Sequence, residues 1–204
     1  MLKRFVPHLK HSLLLASGIA TTVAGLSSPA IAHITNASGA GFAGGFSHPF
    51  SGLDHILAMI AVGLWASQLG RPAYWVIPLT FPVVMVMGAI LGMMDLPLPW
   101  VEIGIAGSVI ILGAMVALAL KPSLAVSVVL IGLFAMMHGH SHGTEMPQAA
   151  SPVAYGAGFL IATVTLHAIG LVIGGTSRRP FARVGLRTAG ATIAAIGVVL
   201  LISV

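Results

Sequence analysis

Cysteine is absent from the 204 residues, which removes disulfides, thiolate metal sites and a dedicated Cu(I) centre from consideration. Charge is nearly absent too: 6% of the residues are charged, and only Asp54, Asp95, Glu102 and Glu145 are acidic. No GxxxxGK[ST] stretch exists to bind a nucleotide. The nine Lys and Arg form no aromatic-interleaved basic patch of the kind that holds nucleic acid. No polar tract is long enough for a separate soluble domain, and no internal repeat is evident. What fills the chain instead is apolar, with 57% hydrophobic residues and a mean hydropathy of +1.05. Such a chain is a polytopic all-α membrane protein, and the lipid bilayer is its first partner.

The N-terminus carries a targeting pattern. "MLKRFVPHLK" supplies a basic start, "SLLLASGIATTVAG" an apolar centre, and "SPAIA" an A-x-A cleavage signal at Ala30 and Ala32. Residues 1–32 are therefore expected to be a signal peptide, and 33–204 a single membrane domain beginning at His33. An uncleaved first membrane helix is the alternative, but the apolar run is short and stops at Ser27, Ser28 and Pro29.

Pro, Gly and polar residues divide the remainder into six apolar segments near 53–69, 73–93, 100–120, 123–138, 153–174 and 186–204. Each approaches the ~20 residues that a bilayer crossing needs. Removal of the leader places the mature N-terminus outside, so the first, third and fifth loops face the cytoplasm. Those loops or their flanks hold Arg71, Lys121, Arg178, Arg179, Arg183 and Arg187, whereas the second and fourth loops hold no Lys or Arg. The expected location is a bacterial inner membrane, with six transmembrane helices and both mature ends periplasmic.

On that outer side lies "HPFSGLDH" at 48–55, running straight into "ILAMIAVGLWASQL". Ser51 and Asp54 have the spacing of a capping box at the start of the first helix. That reading leaves His48 and His55 unexplained. A carboxylate flanked by two imidazoles suits a divalent first-row ion, and Pro49 and Gly52 permit a turn that folds His48 back toward Asp54. His55 and Met59 share a helix face.

A second group lies in "MMHGHSHGTEMP". His138, His142 and Glu145 fall at i, i+4 and i+7, so a fourth helix continued by two turns would align them on one face with His140 on the other. Gly139 and Gly143 weigh against that continuation, and Pro147 would end it. A solvated histidine-rich loop is the competing reading. His167, inside the fifth segment, is either bonded to a hydroxyl such as Thr163 or Thr165 or is a deeper station on an ion path. His33, once exposed by cleavage, offers an α-amino and an imidazole nitrogen to one ion, unless it is simply a free terminus.

These stretches resemble the HupE/UreJ family of nickel/cobalt permeases and hydrogenase or urease accessory proteins. The resemblance spans essentially the whole chain: the leader followed by His, the HPxxGxDH core within "GFAGGFSHPFSGLDHILAMIAVGLWA", the HGxxHGxE pattern within "HGHSHGTEMP", and "LHAIG". It implies metal-associated roles for His48, Asp54, His55, His138, His142, Glu145 and His167, with His140 at a variable position. It also implies secondary transport of Ni2+ or Co2+ from periplasm to cytoplasm for metalloenzyme maturation, without a prosthetic group and with metal-delivery accessory proteins as candidate partners. Zn2+ suits the same ligands chemically. A membrane-embedded metalloenzyme is the alternative, in which these residues hold a metal that activates water; its ligands should converge at one depth. A metal chaperone or sensor would need a larger cytoplasmic surface than the short inner loops offer.

Two measurements test the topology. Mass spectrometry of the purified protein is expected to find His33 at the N-terminus. A membrane-impermeant thiol reagent is expected to label Ala149→Cys and not Ser177→Cys from outside intact cells; the reverse pattern overturns the orientation.

Overall fold

The computed structural model describes residues 41–147, 151–176 and 180–204. The leader, His33, Arg178 and Arg179 lie outside them. A short helix α1 (Phe42–Ser47) passes into a 3-10 turn (His48–Phe50). There follow α2 (Leu53–Leu69), α3 (Ala73–Met93), α4 (Val101–Leu118), α5 (Leu124–Thr144), α6 (Pro152–Gly175) and α7 (Pro180–Ser203). Helices meet the demand of hydrocarbon that each backbone N–H and C=O be satisfied within the segment.

Five helices, α3 to α7, are long and apolar enough to cross a bilayer. The α1 and 3-10 arm together with α2 makes a sixth candidate, bent by 82°. The bend has a local cause: Pro49 sits in the first turn of the 3-10 segment, and Gly52 is extended at φ −103°, ψ 124°. The arm before the bend was not anticipated from sequence. Two expected boundaries also move. The fourth apolar segment continues as helix to Thr144 instead of ending near 138, and the last helix starts at Pro180 rather than near 186.

The continuation to Thr144 corrects the expectation that Gly139 and Gly143 would weaken this helix. Both glycines lie where α5 presses on α3: a Cβ on Gly139 would collide with the Met85 carbonyl, and one on Gly143 with the Ala89 carbonyl. Gly88 and Gly92 of α3 reciprocate against the carbonyls of Met136 and His140. Helix contact in lipid relies on dispersion and close backbone approach, which small residues four apart permit. The same device joins α2 to α6 through Gly63 and Gly170, and α4 to α7 through Gly113 and Gly190. Here tertiary packing outweighs the roughly 1 kcal/mol that each helical glycine costs relative to alanine.

Trp65, Phe81, Met59 and Ile77 are fully buried, while Leu79, Val83, Met87, Val129, Leu133, Val164 and Val172 face outward. An apolar exterior around a packed interior is the pattern that lipid imposes. At the end of the bundle away from the histidines, side chains bond carbonyls of the last turn of α4 and of the turn that follows it. Trp65 Nε1 donates to Leu120 O (2.9 Å), Gln68 Nε2 to Val116 O (3.0 Å) and Arg187 Nε to Ala117 O (2.7 Å).

The α3–α5 contact makes a prediction. Gly139→Ala is expected to destabilise the protein by about 1–3 kcal/mol through overpacking. Gly107→Ala, which meets nothing within 4 Å, should be neutral or slightly stabilising. Thermal unfolding in detergent measures both, and equal midpoints for the two variants would contradict the packing account.

Candidate metal centre

The bend at Gly52 delivers histidines from both of its arms to one place. The first arm is held on α6 by glycine contacts, Gly45 against the Tyr155 carbonyl and Gly158 against that of Phe42. This sets His48 beside His142 of α5, with ring centroids 4.9 Å apart. His55, in the first turn of α2, lies 4.3 Å from His142 and 5.2 Å from His138 by the same measure. His48 Nε2 stands 3.4 Å from Glu145 Oε2. His48, His142 and Glu145 offer ligand atoms that all lie within 4.8 Å of one another. Donors around a first-row ion bound at ~2.0–2.1 Å stand closer than that, so small rotamer changes would complete a shell.

Two of the imidazoles have their tautomer set by a neighbour. His55 Nδ1 donates to Asp54 Oδ1 at 2.7 Å, and His138 Nδ1 donates to the Phe134 carbonyl at 3.0 Å. Both acceptors lack a proton to give, so the hydrogen resides on Nδ1, and in the neutral ring each Nε2 keeps its lone pair. Neither Nε2 finds a hydrogen-bond partner among the described residues, and the same holds for both nitrogens of His142. His138 is fully buried and His142 only 4% exposed. Unpaired polar atoms at such depth are costly unless something else occupies them. Lone pairs fixed from behind by a carboxylate or carbonyl are the arrangement of metal-binding histidines.

Asp54 therefore acts behind His55, its Oδ1 also accepting the His55 backbone N–H at 2.8 Å. The capping box is not formed: the cap residue is Gly52, which has no side chain to offer, while the Ser51 hydroxyl donates to the His48 carbonyl at 2.6 Å. His48 turns toward His142 and Glu145 rather than folding back on Asp54. At the outer edge, the Ser141 hydroxyl donates to Glu145 Oε1 (3.1 Å) and lies 3.5 Å from Glu102 Oε1. The His48 imidazole beside Glu145 holds its carboxyl below the ordinary glutamate range, so the group is an anion at neutral pH. Glu102 was missed from sequence, although being one of only four acidic residues was a signal.

His140 points away as its spacing implied, bonded to the Leu96 carbonyl at 2.7 Å. His167 is not in the outer group. It is buried in α6 beyond Phe81, whose ring lies 5.3 Å from His167 on one side and 5.5 Å from His138 on the other. The expectation of a hydroxyl partner fails: Thr165 donates to Ile161 O, Thr163 Oγ1 is unpartnered among the described residues, and the His167 ring approaches the Pro78 carbonyl without either nitrogen reaching full hydrogen-bond geometry. Phe81 also escaped the sequence reading, because nothing in its spacing distinguishes it from core. His33 lies outside the described residues.

A family model described as HupE / UreJ protein matches residues 21–200. The chain belongs to the HupE/UreJ family. Protein HupE of Rhizobium leguminosarum bv. viciae is 44% identical over 187 residues, 91% of this chain and 98% of that protein. No solved structure matches the chain. HupE/UreJ proteins are transport and accessory membrane proteins, not enzymes.

Asp54→Asn tests the role of the carboxylate behind His55. Calorimetric titration with Ni2+ or Co2+ is expected to show affinity reduced about 10–100-fold, the usual effect of removing such an outer partner. Because the asparagine Oδ1 can still accept the His55 backbone N–H, the thermal midpoint without metal should change little. Unaltered affinity would show that Asp54 does not orient a ligand.

Proposed function

We propose that this protein is a secondary permease that carries Ni2+ or Co2+ from periplasm to cytoplasm to supply metalloenzyme maturation. In this reading residues 1–32 are removed and 33–204 form six transmembrane helices with both ends periplasmic. The observation that carries the proposal is the grading of unpaired imidazoles with depth. From Glu145 to His138 is seven residues of α5, about 10 Å along the axis, and His167 follows past Phe81. A metalloenzyme would gather its ligands at one depth around an open coordination position. A row of partial sites separated by an aromatic ring is better suited to capture and handover.

Each segment of the route has a chemical task. Ionised Glu145 and the nearby Glu102 attract a hydrated cation, and His48, His142, His55 and His138 replace its waters. Freed by leader cleavage, His33 adds an amino and an imidazole donor outside them. Imidazole and carboxylate without sulfur fit Ni2+ and Co2+. A membrane potential negative inside favours entry of a divalent cation by about 4.6 kcal/mol per 100 mV, twice the value per elementary charge. No nucleotide hydrolysis is needed for accumulation on that scale.

Uptake of isotopic Ni2+, Co2+ and Zn2+ into proteoliposomes, with and without an imposed potential, tests the function; no metal accumulation by the parent protein would refute it. Within the same assay, His142→Ala should raise the metal concentration for half-maximal uptake by weakening capture. His167→Ala should lower maximal uptake and leave equilibrium binding at the mouth largely intact, with thermal stability measured alongside because a cavity is left. Should His167→Ala abolish binding as His142→Ala does, the two belong to one coordination shell and the enzyme-like arrangement returns.

A further inference from the structure

At the end of the bundle opposite the histidines, a cavity of about 570 Å3 opens between the ends of α2 and α4 and the start of α7. Gln68, Lys121, Arg183 and Arg187 line it together with Ala119, Val184 and Leu186. Three cationic side chains thus meet there from two parts of the chain. Arg183 and Arg187 share a face of α7 at i and i+4, and Lys121 follows the turn in which Ala119 adopts φ +53°.

No carboxylate of this protein can balance them. All four acidic side chains lie toward the other end: Asp54 opens α2, Asp95 lies in the loop after α3, Glu102 opens α4 and Glu145 closes α5. The C-terminal carboxylate, 17 residues of helix beyond Arg187, is about 25 Å away. Convergent like charges repel, and in a membrane protein no distant side chain screens them. Among the described residues Arg187 spends only its Nε, on the Ala117 carbonyl, which leaves the rest of its guanidinium fork without a described partner. Gln68 Nε2 is taken by Val116 O, while its buried Oε1 has no donor among the described residues.

We infer that this cavity binds the phosphodiester headgroup of an anionic glycerophospholipid, for which phosphatidylglycerol is the probe. The guanidinium fork and the ammonium match phosphate oxygens. Val184 and Leu186 border the glycerol and the first methylenes. The cavity stands at the ends of apolar helices, the level at which lipid headgroups lie, and basic pockets between such helices hold anionic lipids. Soluble phosphate shares the charge chemistry but does not use the apolar border. The inference does not depend on which metal is carried, or on whether one is.

Native mass spectrometry of the full chain in neutral detergent, titrated with phosphatidylglycerol, phosphatidylcholine or inorganic phosphate, tests it. The parent should retain phosphatidylglycerol in preference to phosphatidylcholine. The double variant Lys121→Gln, Arg183→Gln should lose about tenfold or more of that preference, as expected when two interfacial cations are removed. Arg187 is left in place because it caps Ala117. Lys121→Arg, which keeps the charge, should keep the preference and serves as the folded control. Equal retention of both lipids by the parent, or a preference that survives in the double variant, would overturn the assignment. Displacement of bound phosphatidylglycerol by millimolar inorganic phosphate would overturn the lipid as ligand in favour of a soluble anion.

Discussion

The backbone-to-backbone contact of α3 with α5 sets what the rest of the molecule can do. Gly88 and Gly92 on one side and Gly139 and Gly143 on the other let the two helices meet at the level of their carbonyls. Without that contact, the last two turns of α5 would be a glycine-weakened helix end with little reason to persist. With it, His138 and His142 stand in register on a face turned into the bundle, and His140 is directed to the Leu96 carbonyl. The apolar packing that holds the fold therefore also aligns the imidazoles.

A second constraint comes from the medium. Buried polar atoms in a membrane bundle are expected to find partners, and here, Gln68 Oε1 apart, the exceptions among the described residues lie with the histidines or on α6 near them. Nitrogens on His55, His138, His142 and His167 are unpartnered among the described residues, while the Nδ1 atoms of His55 and His138 are occupied by Asp54 and by the Phe134 carbonyl. In His55 and His138 this combination of anchored ring and vacant lone pair is the arrangement of metal-binding histidines. Among the described residues the acidic groups gather on the same side and the basic groups, Arg71, Lys121, Arg183 and Arg187, on the other, so charge is segregated end to end even though very little of it exists.

Much of this was legible from residue spacing. The all-helical class, the apolar segments and the shared face of His138 and His142 follow from composition and a period of 3.6. What escaped detection depended on contacts between segments distant in sequence. The turn at Gly52 was foreseen, but not its direction, because the destination of His48 is fixed by packing of α1 on α6. Local spacing made Asp54 look like a cap partner or a ligand, whereas it accepts from the adjoining His55. Glycines at 139 and 143 carried a propensity penalty in the sequence, and their benefit exists only when α3 is beside them. Phe81 is indistinguishable from any core aromatic until His138 and His167 are seen on either side of it.

The claim that the outer histidines together form a metal-binding shell is open to one direct measurement, X-ray absorption at the nickel edge of the purified, Ni2+-loaded protein. The account predicts nitrogen and oxygen ligation without sulfur, and multiple scattering from more than one imidazole that diminishes in a His55→Ala, His138→Ala double variant. A spectrum explained by water and carboxylate oxygens alone, or one unchanged in that variant, would contradict it.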